Sequence, residues 1–171
     1  MLICSPPLRS PEDNDALWDG LAFGDLDVLA TDHCPFTTAD KGEHADFGTI
    51  PGGLPSIEGR LGLAHHFGQQ HTMTLDRWIE ACCTNPAILF GLENKGRIAP
   101  SFDADLVIFD PRRRMELHAG VTLHESVDWS PYEGMVVEGW PRDVLCRGRV
   151  IVRDGAFVSE PGWGCFVPRV R

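Results

Sequence analysis

The stretch LDVLATDHCPFTTADK, residues 26–41, decides the reading of the fold. A largely apolar run, Leu26 to Ala30, stops at Thr31-Asp32-His33-Cys34, and a proline and a polar loop follow. An apolar run without alternation is what a parallel strand covered on both faces shows. Just upstream, Pro11 to Gly24 carries acidic residues in its first turn, apolar side chains at Leu17, Trp18 and Leu21, and a terminal glycine, the signals of a helix. Before that helix, Leu2-Ile3-Cys4 reads as a short strand ended by Ser5-Pro6-Pro7, since two prolines remove two ladder donors. Strand, helix, strand with short connections predicts parallel strands and a crossover helix, hence an α/β architecture.

Asp32 then falls at the carboxyl end of a predicted parallel strand, the edge where α/β barrels and open α/β sheets place catalytic groups. A carboxylate there can coordinate a divalent metal, act as a base towards a metal-bound water, or simply cap the next turn. His33 and Cys34 cannot join it on one metal, because successive residues of an extended chain point to opposite sides. The remaining histidines, 44, 65, 66, 71, 118 and 124, show neither an H-x-H pair nor an H-E-x-x-H and read as structural or solvated. Ser5 ends the first strand at the same edge as Asp32, as a ligand contact or a turn-former. Asn85 either caps a helix started by Pro86 or presents its amide to a cyclic amide.

Downstream, residues 37–56 are rich in Gly, Pro, Thr and Asp and predict a long loop. Helices are expected over Ile57 to Gln69 and Thr74 to Cys83, where Leu75, Trp78, Ile79, Cys82 and Cys83 share one face, with a short helix from Asn85-Pro86 to near Gly91. After Gly96 the helical period disappears. Ile98, Leu106 to Phe109, Met135 to Val137, Val144 to Cys146 and Val150 to Val152 are candidate strands of a separate β unit. The expected organisation is residues 1–92, 93–157 and a tail, 158–171.

Composition excludes several classes. In 171 residues, 43% hydrophobic and 23% charged, there is ample material for a core. A net charge of −10, from 25 acidic against 15 basic residues, is ill suited to neutralising a phosphate backbone, so no nucleic-acid partner is expected. No run approaches the roughly 20 apolar residues of a membrane span, and MLICSPPLRS lacks a basic region ahead of an apolar one. The chain reads as soluble, unprocessed and not associated with a membrane. Six scattered cysteines without a C-x-x-C suit reduced thiols and a cytoplasmic setting.

Taken together the segments resemble the C-terminal part of the dihydropyrimidinases and D-hydantoinases, cyclic amidohydrolases of the metal-dependent amidohydrolase superfamily. The matching stretches are CSPPLR (4–9), ALWDGLAFG (16–24), ATDHCPFTTADK (30–41), IPGGLPSIEGRLGL (50–63), TNPAILFGL (84–92), KGRIAPSFDADLVIFDP (95–111), VDWSPYEGMVVEGWPRDVLCRGRVIVRDG (127–155) and GWGCF (162–166). TDHCPF with TNPAxxFGL is specific. DADLVIFDP alone indicates only the wider superfamily.

The resemblance implies the C-terminal part of a TIM-like (β/α)8 metal-dependent hydrolase barrel, strands of a small composite β-sandwich domain and a C-terminal tail at a subunit interface. It implies two divalent metals, usually zinc, bridged by a carbamylated lysine, and metal-hydroxide attack on the amide of a dihydropyrimidine or hydantoin ring. Asp32 is then a metal ligand that also relays the proton, and Ser5 and Asn85 match positions whose backbone groups hold the ring of the substrate. Homo-oligomers, dimers or tetramers, are expected by the same resemblance.

The family's other ligands, an H-x-H, the bridging lysine and two further histidines, belong to regions upstream of the matched part. Lys41 and Lys95 lie outside the lysine's motif. A closed barrel also needs roughly 250 residues. The chain is therefore expected to be a fragment, inactive and without metal when isolated. The rival readings are a non-catalytic dihydropyrimidinase-related scaffold, which typically lacks the aspartate at the position of Asp32, and a sister enzyme such as an allantoinase or dihydroorotase.

Overall fold

The structure, a computed structural model, describes residues 1–44 and 46–170. Its first helix, α1 (Pro11–Phe23), has the expected stop, a core face of Trp18, Leu21 and Ala22 that leaves the expected Leu17 exposed, and a start that composition alone understates. Ser10 Oγ accepts from the Asp13 amide while the Asp13 carboxylate accepts from the Ser10 amide, a reciprocal cap that serves the open donors of the first turn. Gly24, at φ 91°, ends the helix in the left-handed region, where its N–H bonds back to Gly20.

The flanking segments 2–4 and 26–30 form no ladder with each other or with any strand among the described residues. Their backbone groups are engaged by loops and helices instead. Ile3 C=O accepts from Gly53 N–H and Lys41 Nζ, and Leu29 N–H donates to Ala81 C=O.

Helix α2 (Arg60–Gln70) begins three residues later than its periodicity suggests and lies between two cores. Ala64 and Leu61 enter one with Leu21, Met73, Trp78, Ala81 and Cys82. Leu63 and Phe67 enter the other with Leu117, Leu123, Val137 and Trp140. The expected helix over Thr74 to Cys83 is split: α3 (Leu75–Ile79), capped by Thr74 Oγ1, runs into a π turn, Glu80–Thr84, and then into α4 (Asn85–Leu89). Asn85 is thus not a cap, because the backbone is already helical at Thr84.

The sheet is antiparallel in the order β1 (Leu106–Glu116), β2 (Val136–Cys146), β3 (Arg149–Arg153), β4 (Ala156–Phe157). Two expected strands, 135–137 and 144–146, are one strand carried through Pro141, and Ile98 lies outside any strand. Register shifts flank Phe109, opposite Pro141, and Pro111, where a missing N–H interrupts the ladder.

Strand β2 rests on α2. The indole of Trp140 lies so close to Gly62 that a Cβ there would stand 2.3 Å from Cε3. His65 Nδ1 donates to Glu138 C=O at 3.0 Å and the Glu138 amide donates to His66 Nδ1 at 3.1 Å, so two adjacent histidines take both polar groups of one residue beside the Gly139 irregularity. The tail returns to the helices. Trp163 stacks under Arg147 and Arg149 and donates to Cys146 C=O, and the Val170 amide donates to Gly91 C=O.

Between β1 and β2, His118 sits between two carboxylates, Glu133 at 2.8 Å and Glu116 at 3.1 Å. The hydrogen bond to Glu133, then that to Glu116, raises its pKa above the ordinary 6.5. Glu133 is held below its ordinary 4.5, first by the Ala119 amide and then by His118.

Two predictions follow from the α2–β2 contact and from His118. Gly62→Ala gains helix propensity worth up to about 1 kcal/mol, yet the clash with Trp140 outweighs it, and urea unfolding is expected to show a net loss of about 1–3 kcal/mol. A more stable variant would show that the helix and strand separate freely. For His118, a raised pKa means its contribution is complete below pH 6.5 and is lost as pH rises through the folded value, while that of Glu133 is present above pH 4.5. The fall in melting temperature from pH 5.5 to pH 8.5 is therefore expected to shrink in His118→Gln; an unchanged difference would assign it to other groups.

Candidate active site

Asp32 is exposed and lines, with Trp18, Arg60, Gln70, His71 and Tyr132, a cavity of about 600 Å³. None of the hydrogen bonds or ion pairs of the described residues uses its carboxylate. The backbone on either side of it is fixed. On one side stands Leu29, whose N–H reaches Ala81 C=O at 3.0 Å and whose C=O receives Arg60 Nη1 at 3.1 Å. On the other side, Cys34 N–H donates to Leu54 C=O, and His33 pairs with Leu54 in a parallel bridge.

His33 turns away from any metal role. Its Nδ1 accepts from the amides of Ser56 (3.0 Å) and Ile57 (3.2 Å), so that nitrogen is unprotonated. The Glu125 carboxylate 3.8 Å from the same nitrogen is therefore not its ion-pair partner; Glu125 Oε1 accepts from the Glu58 amide at 2.9 Å. Burial, reinforced by the Glu125 charge, raises the pKa of Tyr132.

Ser5 is exposed in a bend at the end of the first segment. The glycine-rich stretch 50–56 ties that end to the end carrying Asp32. Gly53 donates to Ile3 C=O, and a Cβ on Gly53 would stand 2.4 Å from Cys34 O. Only glycine fits this crossing, which holds the neighbourhoods of Ser5 and Asp32 together. The side-chain amide of Asn85 instead donates to Asp27 C=O at 2.9 Å, five residues upstream of Asp32. Asn85 is thus joined to the same segment, at its opposite end.

Sequence reasoning passed over Lys41 as a loop lysine, and it is 4% exposed. Its ammonium donates to Ile3 C=O (3.0 Å) and Pro51 C=O (2.9 Å), with the rings of Trp129 and Phe36 at 5.9 and 6.0 Å. Trp129 Nε1 donates to Phe36 C=O, and Thr38 is held by Asp128. No local periodicity announces such a role, because the partners are carbonyls of distant segments. Cys82, buried under Trp78 and its neighbours, has its thiol pushed up to about 11 by burial, which makes it a packing residue and not a nucleophile.

Among the described residues no group of three or more His, Cys, Asp or Glu side chains is placed to hold a metal ion. The Asp32 carboxylate has the chemistry of one oxygen ligand, and the described residues by themselves do not complete a metal site.

Residues 2–151 match the model of the amidohydrolase family. The chain belongs to that family. Amidohydrolases are generally metal-dependent. The chain is 42% identical over 170 residues to a D-hydantoinase of Streptomyces coelicolor, covering 98% of this chain and 36% of that protein. It is also 42% identical to a D-hydantoinase of Geobacillus stearothermophilus, covering 99% of this chain and 36% of that one. The chain thus spans just over a third of the length of the curated relatives it matches.

Among solved structures, a D-hydantoinase (dihydropyrimidinase) from Thermus sp. superposes with a TM-score of 0.93 at 43% identity, over 98% of this chain and 37% of that one. An L-hydantoinase (dihydropyrimidinase) from Arthrobacter aurescens gives 0.91 at 33%, over 98% and 38%. Hydantoinases have the TIM-barrel amidohydrolase fold, of which this chain is a partial α/β portion with an antiparallel sheet. None of the described helices is long and apolar enough to cross a membrane.

Replacing Lys41 by Met strands two carbonyls in the interior. The expected cost in urea unfolding is on the order of 3 kcal/mol. A loss below about 0.5 kcal/mol, the range of an ordinary surface substitution, would show that the amine is not the tie described.

Proposed function

We propose that this chain supplies the C-terminal part of a metal-dependent hydrolase that opens dihydropyrimidine or hydantoin rings at the amide bond. One observation carries the reading: among the described residues Asp32 presents an unengaged carboxylate between two fixed backbone anchors, in an amidohydrolase about 40% identical to D-hydantoinases. Residues 1–92 would contribute to the barrel, 93–157 to a composite β-sandwich domain, and 158–171 to a subunit contact in a homo-oligomer, a dimer or tetramer. The tail carries Phe166 at 91% exposure and a free Cys165, which suits a contact surface. Six free cysteines favour a reducing cytoplasm.

Two divalent cations, zinc in this reading, supply an activated water at neutral pH when bound. Asp32 would be the ligand this chain contributes. Its carboxylate also takes the proton released by the attacking water and delivers it to the departing ring nitrogen. Backbone groups at Ser5 and Asn85 would hold the ring amide or imide, whose donor and acceptor edge matches a peptide. The segment 50–56 keeps the Ser5 and Asp32 positions in register.

One carboxylate cannot hold two metals, so the 171-residue polypeptide is expected to open neither dihydrouracil nor hydantoin in the presence of zinc. The protein isolated from its own cells, with its metals, is expected to open one of these rings, and Asp32→Asn should lower kcat about a thousandfold. Chromatography of the ring-opened carbamoyl acid checks both. Turnover by the isolated chain with stoichiometric zinc would overturn the shared-centre reading, and a native protein that opens no cyclic amide would overturn the function.

A further inference from the structure

The π turn between α3 and α4 leaves two carbonyls without the partners an α-helix would give them. The Asn85 amide bonds to Glu80 C=O, five residues back, so Ala81 C=O loses its usual donor. Residue 86 is proline and has no N–H, so Cys82 C=O loses its donor as well. A buried carbonyl left unpaired is costly, and each of these has found a partner outside the helix.

Both partners converge on Leu29. Its N–H donates to Ala81 C=O at 3.0 Å. Arg60 Nη1 donates to Cys82 C=O at 3.2 Å and to Leu29 C=O at 3.1 Å, bridging the two. Both polar groups of one residue, three before Asp32, are thereby fastened to the π turn that runs directly into Asn85. Asn85 Nδ2 adds a third link, to Asp27 C=O. Arg60 also begins α2 and lines the cavity that holds Asp32.

We propose that Arg60 is a positioning residue for the ring-opening reaction: its guanidinium locks the segment leading to Asp32 onto carbonyls freed by the π turn and Pro86, so that Asp32 and Asn85 keep one fixed separation. The proposal rests on the hydrolase reading above. Both contacts come from Nη1, whose two N–H bonds are fixed in the guanidinium plane, so setting that plane aims both donors, whereas the donors of an ammonium turn freely about its last bond. Arg60 touches neither substrate nor metal in this account. It acts through Leu29.

The test uses the native metal-loaded protein with Arg60→Ala and, as the variant that folds most readily, Arg60→Lys. Misplacing a reacting group by about an ångström costs on the order of a hundredfold, so kcat of Arg60→Ala is expected to fall by about that factor, with KM changed less than about twofold and metal content intact. Arg60→Lys should fall in between. Millimolar guanidinium is expected to restore part of the lost kcat in Arg60→Ala and none in the parent. Amide exchange at Leu29, read by mass spectrometry or NMR, is expected to quicken about tenfold or more in both variants.

Unchanged kcat would overturn the proposal, as would a loss of kcat that follows loss of metal and does not respond to guanidinium, or Leu29 exchange that matches the parent. If the parent itself opens no cyclic amide, the hydrolase reading and the catalytic role of Arg60 fall together. The Leu29 exchange comparison then still decides whether the clamp exists.

Discussion

The contact between Gly62 and the indole of Trp140 is the constraint on which the rest of the molecule depends. A helix can lie this close to a strand only where it presents no side chain, and α2 does so at one position while burying Ala64 towards one core and Leu63 towards the other. Because α2 is anchored on the sheet, its first residue is anchored too. Arg60 is that residue, so packing at the sheet is transmitted to the backbone beside Asp32.

The segment between Asp32 and α2 follows a similar logic with polar groups. Lys41, His33 and Glu125 each bind backbone atoms of a neighbouring loop, and Gly53 passes where no Cβ fits. Loops that carry chemistry need their backbone groups paired as fully as helices do, and here side chains supply the pairing that a ladder would otherwise give. The fold so described superposes on hydantoinases named for opposite hands, with TM-scores of 0.93 and 0.91. The backbone of this portion is therefore common to both.

Elements with local signals were legible in the sequence. Helix α1 declared itself through Pro11 and Gly24, and β1 and β3 through short aliphatic runs between turns. The place of Asp32 after an apolar run is what singled it out in the sequence, and the family was legible from ordered motifs. The π turn was not, because the apolar face of residues 75–83 fits a 3.6-residue period equally well before the extra residue is counted. Segments 2–4 and 26–30 have strand composition, but a ladder is a property of neighbours, and their groups bond to loops, Lys41, Arg60 and the π turn. Arg60 and Lys41 escaped for the same reason: their importance lies in carbonyls that other segments leave open, and no pattern along the chain records that.

The hydrogen bond from Val170 to Gly91 closes the path that leaves the helices there, builds the whole sheet and comes back. Gly91, at φ 65°, is also the point where a side chain would strike the returning strand of chain. Departure and return at a single spot make residues 92–169 a cassette whose two junctions lie side by side. Closing the stretch at both ends shortens the chain that is free to move when the sheet parts from α2, and Gly91 has to stay glycine for the closure to form.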